Sequence, residues 1–350
     1  MSESSAPKST KPEVAQAEEL YLQGRYYWNR RTPEDLSRAV DFFTQAIVRD
    51  PNYANAYVGL ADSYSLSREY GAMPADQAYP RALAAAKKAV ELDDSSADAH
   101  LSLAFVIFYW NWDAAGAERE FKRALVLNPN DARAHHWYAT FLLSCRRLPE
   151  SLAQINQAQS LDPSSVAILA DKGDILNVAN ETDAAITLLR QIEISEPSFA
   201  SAHRYLSEIY LARKDYAGYL KEWQQMAILL KDQNEQAVEE GAEKGFSDGG
   251  YRGMLEGSLR VQKELNNKGV VPAYSLAVTY ARLGQDQNSL RSLKVAYDSH
   301  DSSLLFLSTE PAFDFLRSDP EFTDIEAHVS PVPHRETLPA PNAQASQHPR

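Results

Sequence analysis

Cysteine is nearly absent: Cys145 is the only one in 350 residues, so no intramolecular disulfide can form and nothing points to an oxidising compartment. Long apolar runs are missing as well. No stretch reaches the roughly 18 apolar residues of a membrane-spanning helix, and Met1 to Pro12 carries serine, lysine and proline without an apolar core, which predicts neither a signal peptide nor an anchor. Apolar/polar alternation is nowhere sustained, so little or no sheet is expected. Positive charge is scarce. The formal charge is −13, and setting aside the N-terminal arm (Glu3, Lys8, Lys11) and the tail from His328 (Arg335, Glu336, Arg350) leaves −15 on the body. Nucleic acid, whose phosphates need a basic face, is therefore not an expected partner. These absences together predict a cytoplasmic protein with no membrane segment.

Proline, by contrast, recurs at a fixed pitch. Pro129, Pro163 and Pro197 stand 34 residues apart. Reading back from Pro163, the side chains are Ala158, Ile155 and Ser151, then Leu142, Ala139, Tyr138 and His135. The copy ending at Pro197 has Ile192, Leu189 and Ala185, then Leu176, Gly173, Lys172 and Leu169. At about 100° per residue the second group of each copy falls on one helical stripe, a face that must be buried. One position of that stripe stays small, as Gly24, Ala61, Ala104, Ala139, Gly173, Ser207 and Ala277. Small residues are required where two helix axes, usually roughly 8 to 10 Å apart, come closest. The proline cannot donate the next ladder hydrogen bond and so ends each second helix.

The register extends both ways. Upstream units close at Pro51, Asp94 and Pro129, with a short insertion at Arg31 to Glu34, extra residues around Gly71 to Pro80, and one residue inserted between the helices of the third unit. A sixth unit begins at Ala202, and a detached one carries Leu276, Ala277, Tyr280, Ser289, Leu293 and Ala296. The expected organisation is a disordered arm (1–12), six contiguous repeats (13–230), a non-consensus helical spacer (231–269), a detached repeat with a C-terminal cap (270–327), and a disordered proline-rich tail (328–350). In the spacer, Gly241, Gly245, Gly249, Gly250 and Gly253 are expected to punctuate two helices.

The pattern resembles the tetratricopeptide repeat, W-x2-L-G-x2-Y, then A-x3-F, then P. That resemblance implies an all-α fold, a right-handed α-solenoid of helix-turn-helix repeats in which each hairpin is stabilised by its neighbours. The stretches RYYWNRRTPEDLSRAVDFFTQAI, YWNWDAAGAEREFKRALVLNPN and EPAFDFLRSDPEF further resemble the tetratricopeptide sensory region of bacterial regulators, where the array follows a winged-helix, cyclase or kinase domain. This implies a regulatory interaction module, one that either works alone, as on a separately encoded transcription regulator or kinase, or is a fragment of a larger regulator. Only about a dozen residues precede the first unit, too few for such a domain.

No catalytic constellation emerges. His100, His135 and His203 share one repeat position, and such positions stand roughly 10 Å apart in neighbouring repeats, which favours packing or local hydrogen bonds over a shared metal. Arg146 and Arg147 beside Cys145 could lower the thiol pKa, but an ordinary thiol is expected. GAEKGFSDGG lacks the Lys-Ser/Thr of a phosphate loop, so no cofactor is expected. What remains is the concave side of the first helices. The register places Phe105, Phe108, Arg133, His136, Thr140, Asp174, Arg204 and Glu208 there as a groove for a protein or peptide ligand, with Phe105, Phe108, Arg133, His136 and Arg204 as anchors. The chaperone-tail clamp of the family is absent, since Val58, Asp62, Ser102, Arg133 and Trp137 occupy its positions. A non-catalytic scaffold is the expected function, ahead of a sensory module or an enzyme accessory subunit.

Overall fold

The computed structural model describes residues 10–70 and 73–329. Among them the secondary structure is helical and no strand occurs. Six hairpins follow one another: α1 (Lys11–Arg30) and α2 (Pro33–Arg49), α3 (Ala54–Glu69) and α4 (Ala75–Leu92), α5 (Ala97–Val106) and α6 (Ala114–Leu127), α7 (Ala132–Ser144) and α8 (Leu148–Leu161), α9 (Val166–Val178) and α10 (Thr182–Ser195), α11 (Ala200–Ala212) and α12 (Tyr216–Leu230). A long element, α13 (Gln233–Asn266), leads to α14 (Ala273–Arg282) and α15 (Asp286–Asp298). Two 3₁₀ turns, Ser302–Phe306 and Pro311–Leu316, and α16 (Pro320–Val329) complete the chain.

The arm is shorter than expected. Lys11 and Pro12 already belong to α1, because Thr10 and Glu13 form a capping box, with the Thr10 N–H and hydroxyl donating to Glu13 Oε2 at 2.7 Å. Likewise His328 and the buried Val329 end α16. Residues 1–9 and 330–350, on which the rest of the arm and the tail fall, lie outside the described residues. The extra residues of the second unit lengthen α4 at its start, with Pro80 near its N-terminus.

The small positions do the packing expected of them. Ala61, Ala104, Ala139 and Ala277 are fully buried. A Cβ on Gly24 would stand 2.6 Å from the Phe43 ring, and one on Gly173 would stand 2.8 Å from Leu189. Ser151 and Ser289, at matching points of two second helices, each donate a hydroxyl to the carbonyl of the small residue opposite, Ala139 at 2.8 Å and Ala277 at 2.9 Å. The position-sharing histidines also repeat one tie across their own hairpin. His100 Nδ1 meets Glu120 at 2.6 Å, His135 Nδ1 meets Gln154 at 2.6 Å, and His203 Nδ1 meets Glu222 at 2.7 Å.

The turn inside each hairpin is also periodic. Trp112, Arg146, Asn180 and Lys214 stand 34 residues apart and share left-handed backbone, with φ of 55, 56, 64 and 60°. The next residue closes a Schellman motif, as Arg147 N–H to Leu142 O, Glu181 N–H to Leu176 O and Asp215 N–H to Tyr210 O, each 2.9 Å. In the third unit the inserted residue is absorbed by a π-turn, Ile107–Asn111, ahead of Trp112.

The span between the sixth and last hairpins departs from the repeat. α13 is two helical halves meeting at Gly249 and Gly250, where Gly250 has φ +60°. The remaining glycines do not punctuate. They let the halves touch backbone to backbone, since a Cβ on Gly253 would lie 2.1 Å from Gly245 O and one on Gly257 would lie 2.0 Å from Gly241 O. The chain then returns to its beginning. Arg68 donates to Ser302 and Ser303 at 3.1 Å, His300 Nε2 lies 2.5 Å from Trp110 O, and the His300 ring stacks on Trp112 at 4.0 Å. Leu305 enters the core shared by the first four hairpins.

Candidate binding face

First helices contact first helices along the array, α1 with α3, α3 with α5, α5 with α7, α7 with α9 and α9 with α11, and so form one inner wall. At its near end Arg133 is a hub. Its guanidinium bonds Asp62 of α3 and Asp98 of α5, and lies 5.2 Å from the Trp137 ring centroid and 6.0 Å from that of Trp28 of α1. Asp62 is 1% exposed and accepts the Ser102 hydroxyl as well. Burial pushes the Asp62 carboxyl up while Arg133 and Ser102 pull it back. Burial also opposes the charge on Arg133, but Asp62 and Asp98 more than offset this and hold its pKa above the usual arginine value.

Phe105 and Phe108, expected as groove anchors, are core residues. Phe108 is 1% exposed against Phe141, and Phe105 packs 4.7 Å from the Trp137 ring. Phe108 belongs to the π-turn, which widens the helix and shifts the phase on which its groove assignment relied. Arg133 faces the wall, but its charge is committed to two aspartates. His136 is buried and bonds Asp171 through Nε2 at 2.6 Å, and the Tyr205 hydroxyl donates to the other Asp171 oxygen at 2.6 Å. Against the burial penalty these two bonds hold the Asp171 carboxyl low. Thr140, half-buried, donates to the Trp137 carbonyl at 2.9 Å.

The far end of the wall has a different character. Asp174 and Glu208 stand 34 residues apart at one position of neighbouring helices. Glu208 keeps a water-facing surface but stands within the concavity, among helix walls and other carboxylates. Burial, then Glu208 and Asp171, push the Asp174 carboxyl up to about 8, with Arg204 opposing. Burial also raises Glu208. Arg204 and Arg282 oppose that rise, and Glu310, 3.3 Å from Arg282, adds to it. Arg204 is exposed and lies along the Tyr205 ring at 4.7 Å.

Among the described residues one trio has the spacing of metal ligands, Glu193, His203 and Glu222. It is already filled by protein cations. His203 Nδ1 lies 2.9 Å from Glu193 and 2.7 Å from Glu222, and Arg190 reaches both carboxylates. Burial lowers the His203 pKa, but the two glutamates raise it further, to about 9, so the group is an ion network pinning α10, α11 and α12. The Cys145 thiol is not activated. Burial pushes it up to about 12 against the pull of Arg147. Trp110, Trp112 and His300 close the array on itself; the two tryptophans lie in a stretch that carried the family resemblance, but nothing in the sequence announced their contact with His300.

A tetratricopeptide repeat family model matches residues 113–166 and 171–237. The chain is 31% identical over 148 residues to the transcriptional regulator HilA of Salmonella typhimurium, which is 42% of this chain and 27% of the regulator, so it spans about a quarter of that relative's length. Among solved structures, yeast Tom70 aligns at a TM-score of 0.50 with 16% identity, over 92% of this chain and 69% of its own. Human IFIT1, solved as a dimer with PPP-AAAA, aligns at 0.54 with 16% identity, over 77% and 69%. No helix among the described residues is long and apolar enough to cross a membrane. With its repeat pitch and paired helices the chain is an α-solenoid, and residues 113–166 and 171–237 carry tetratricopeptide repeats.

Proposed function

We propose that this chain is a non-catalytic scaffold that binds a protein or peptide segment along the inner wall of its first helices, seating a basic side chain at Asp174 and Glu208. The tetratricopeptide fold supports a protein-interaction role. The observation that carries the finer reading is the like-charge pair itself. Two carboxylates at one repeat position of adjacent helices, with Asp171 behind them, crowd negative charge that Arg204 and Arg282 offset only in part, and a lysine or arginine from a partner adds to that offset. Thr140 and Arg204 flank this floor as further polar contacts, and Arg133 and His136 hold its shape.

Fluorescence anisotropy with short blocked peptides tests this. Peptides carrying lysine or arginine should bind the full chain, weaken with salt, and lose at least tenfold in affinity to D174N/E208Q, while glutamate-substituted peptides lose nothing in that variant. Equal binding by wild type and a folded double variant would remove the site. A second reading, a regulatory module acting on a separately encoded transcription regulator, draws on the 148-residue likeness to a transcriptional regulator. Its test is co-purification with a DNA-binding protein encoded beside it, lost in D174N/E208Q.

A further inference from the structure

The first hairpin concentrates arginine on aromatic rings. Within Arg25 to Arg31, the Arg25 guanidinium lies 4.7 Å from the Trp28 ring centroid and that of Arg31 lies 5.1 Å from it. The neighbouring arginines are already neutralised. Arg30 and Arg38 share Asp35 at 2.8 and 3.8 Å, and Arg133 has Asp62 and Asp98. Among the described residues neither Arg25 nor Arg31 pairs with a carboxylate, and both are half-buried. A second observation is independent of their charge. Trp28 is 3% exposed and its indole N–H meets no acceptor. A buried donor is normally satisfied, and two guanidiniums on one ring, neither in an ion pair although Asp62 feels the charge of Arg25, offer an anion a shared place. Their planar forks suit paired oxygens better than a point charge does. The nearby carboxylates of Asp62 and Asp98 are bonded to Arg133, and charge farther than about 8 Å is screened by salt.

We propose that Arg25, Arg31 and Trp28 form an oxyanion-binding site on the first hairpin, taking a carboxylate or phosphoryl group. The site stands apart from the acidic pair and does not rest on it.

Isothermal titration of the full chain at low ionic strength, with inorganic phosphate in one arm and a blocked hexaglutamate peptide in the other, tests the assignment. Saturable binding in either arm supports it, and the arm that binds names the source of the oxyanion. R25Q/R31Q should lose at least tenfold in affinity with unchanged circular dichroism, while R38Q, whose arginine serves Asp35, should bind as wild type does. If R25Q/R31Q fails to fold, R25K/R31K keeps both charges without the planar fork and should still lose at least threefold. No saturable binding in either arm, or undiminished affinity in a folded double variant, overturns the proposal. Wild type that binds basic peptides but no oxyanion sinks this site alone, and the converse result sinks only the acidic-floor reading.

Discussion

Arg133 and Asp174 lie on the inner walls of adjacent hairpins, yet one is balanced and the other is not. Arg133 draws carboxylates from two earlier hairpins, Asp62 and Asp98, and stacks beside Trp137. Asp174 faces Glu208 at the same repeat position one hairpin on, with Asp171 close behind. The difference follows from solenoid geometry. Equivalent positions of neighbouring units confront one another, so alternating the sign of charge builds a bridge, as at Asp98 and Arg133, and repeating an acid builds a stripe of one sign. The bridge is internal structure. The stripe leaves charge over for something else.

Breaking the bridge should have the largest effect. Arg133→Met keeps the bulk but leaves Asp62 buried and uncompensated, and should cost about 3 to 5 kcal/mol. Arg204→Met, at the exposed far end, should stay within about 1 kcal/mol. The midpoints of urea unfolding check both, and equal losses would erase the contrast between the two ends.

The next largest effect tests what places the far end. α13 carries the chain from the sixth hairpin to the unit that brings Arg282 and Glu310 near Glu208. In Gly253→Ala the new methyl meets the Gly245 carbonyl at 2.1 Å. Overpacking against backbone costs about 1 to 3 kcal/mol, and helix propensity returns only part of that, up to about 1 kcal/mol. A net loss of about 2 kcal/mol in thermal or chemical unfolding is expected. Gly249→Ala, whose new methyl would have nothing within 4 Å, serves as the control. A Gly253→Ala protein as stable as wild type would mean that the halves of α13 are not in contact.

These two regions mark how far the sequence could be read. Period, small positions and terminating prolines were legible, because each hairpin repeats the same steric demand, and Ala139 or Gly173 shows it in one letter. Of the glycines of α13, Gly249 and Gly250 do punctuate, but Gly241, Gly245 and Gly253 were misassigned to punctuation, since a glycine at every fourth position signals backbone contact only once two helices are known to cross. Two of the expected groove anchors, Phe105 and Phe108, fell in the core instead. Phe108 was placed by helical phase, and a π-turn changes phase without changing composition. The pairing of Arg133 with Asp62 spans 71 residues, and nothing local in either segment announces it. That Asp174 and Glu208 share one repeat position was readable from the register, although their effect on each other depends on how tightly the wall curves.

Protonation separates the two ends more gently. Asp174 has its folded pKa raised to about 8, so between the unfolded value near 4 and pH 8 the folded chain holds a proton that the unfolded chain does not. Stability is therefore lost as pH rises through this window. Asp174→Asn should leave stability near pH 4 almost unchanged and raise it at pH 8 by on the order of 1 to 2 kcal/mol, less than the full shift would imply because water reaches the groove. His203, raised to about 9, acts over a different window. Its stabilising charge is present below about 6.5 and is lost as pH rises toward 9, so this slope should survive in Asp174→Asn. Unfolding midpoints at pH 4, 6 and 8 for both proteins check the sign. A variant that parallels wild type at every pH would show Asp174 to be an ordinary surface carboxylate.

The smallest expected effect asks whether the stripe is a pair or two independent acids. If Asp174 and Glu208 repel each other at pH 8, Asp174→Asn also relieves Glu208, and Glu208→Gln relieves Asp174. The double variant then gains less than the two single gains together. The shortfall should be about 0.5 to 1 kcal/mol, within the range seen for residues in contact. Raising the salt concentration should shrink it only partly, because a pair inside the concavity is screened less than one on an open surface. At pH 4, where both groups are largely protonated, the shortfall should vanish. Full additivity at pH 8 would mean that desolvation alone raises each carboxyl. A basic ligand would then gain from each separately rather than from a shared deficit of positive charge.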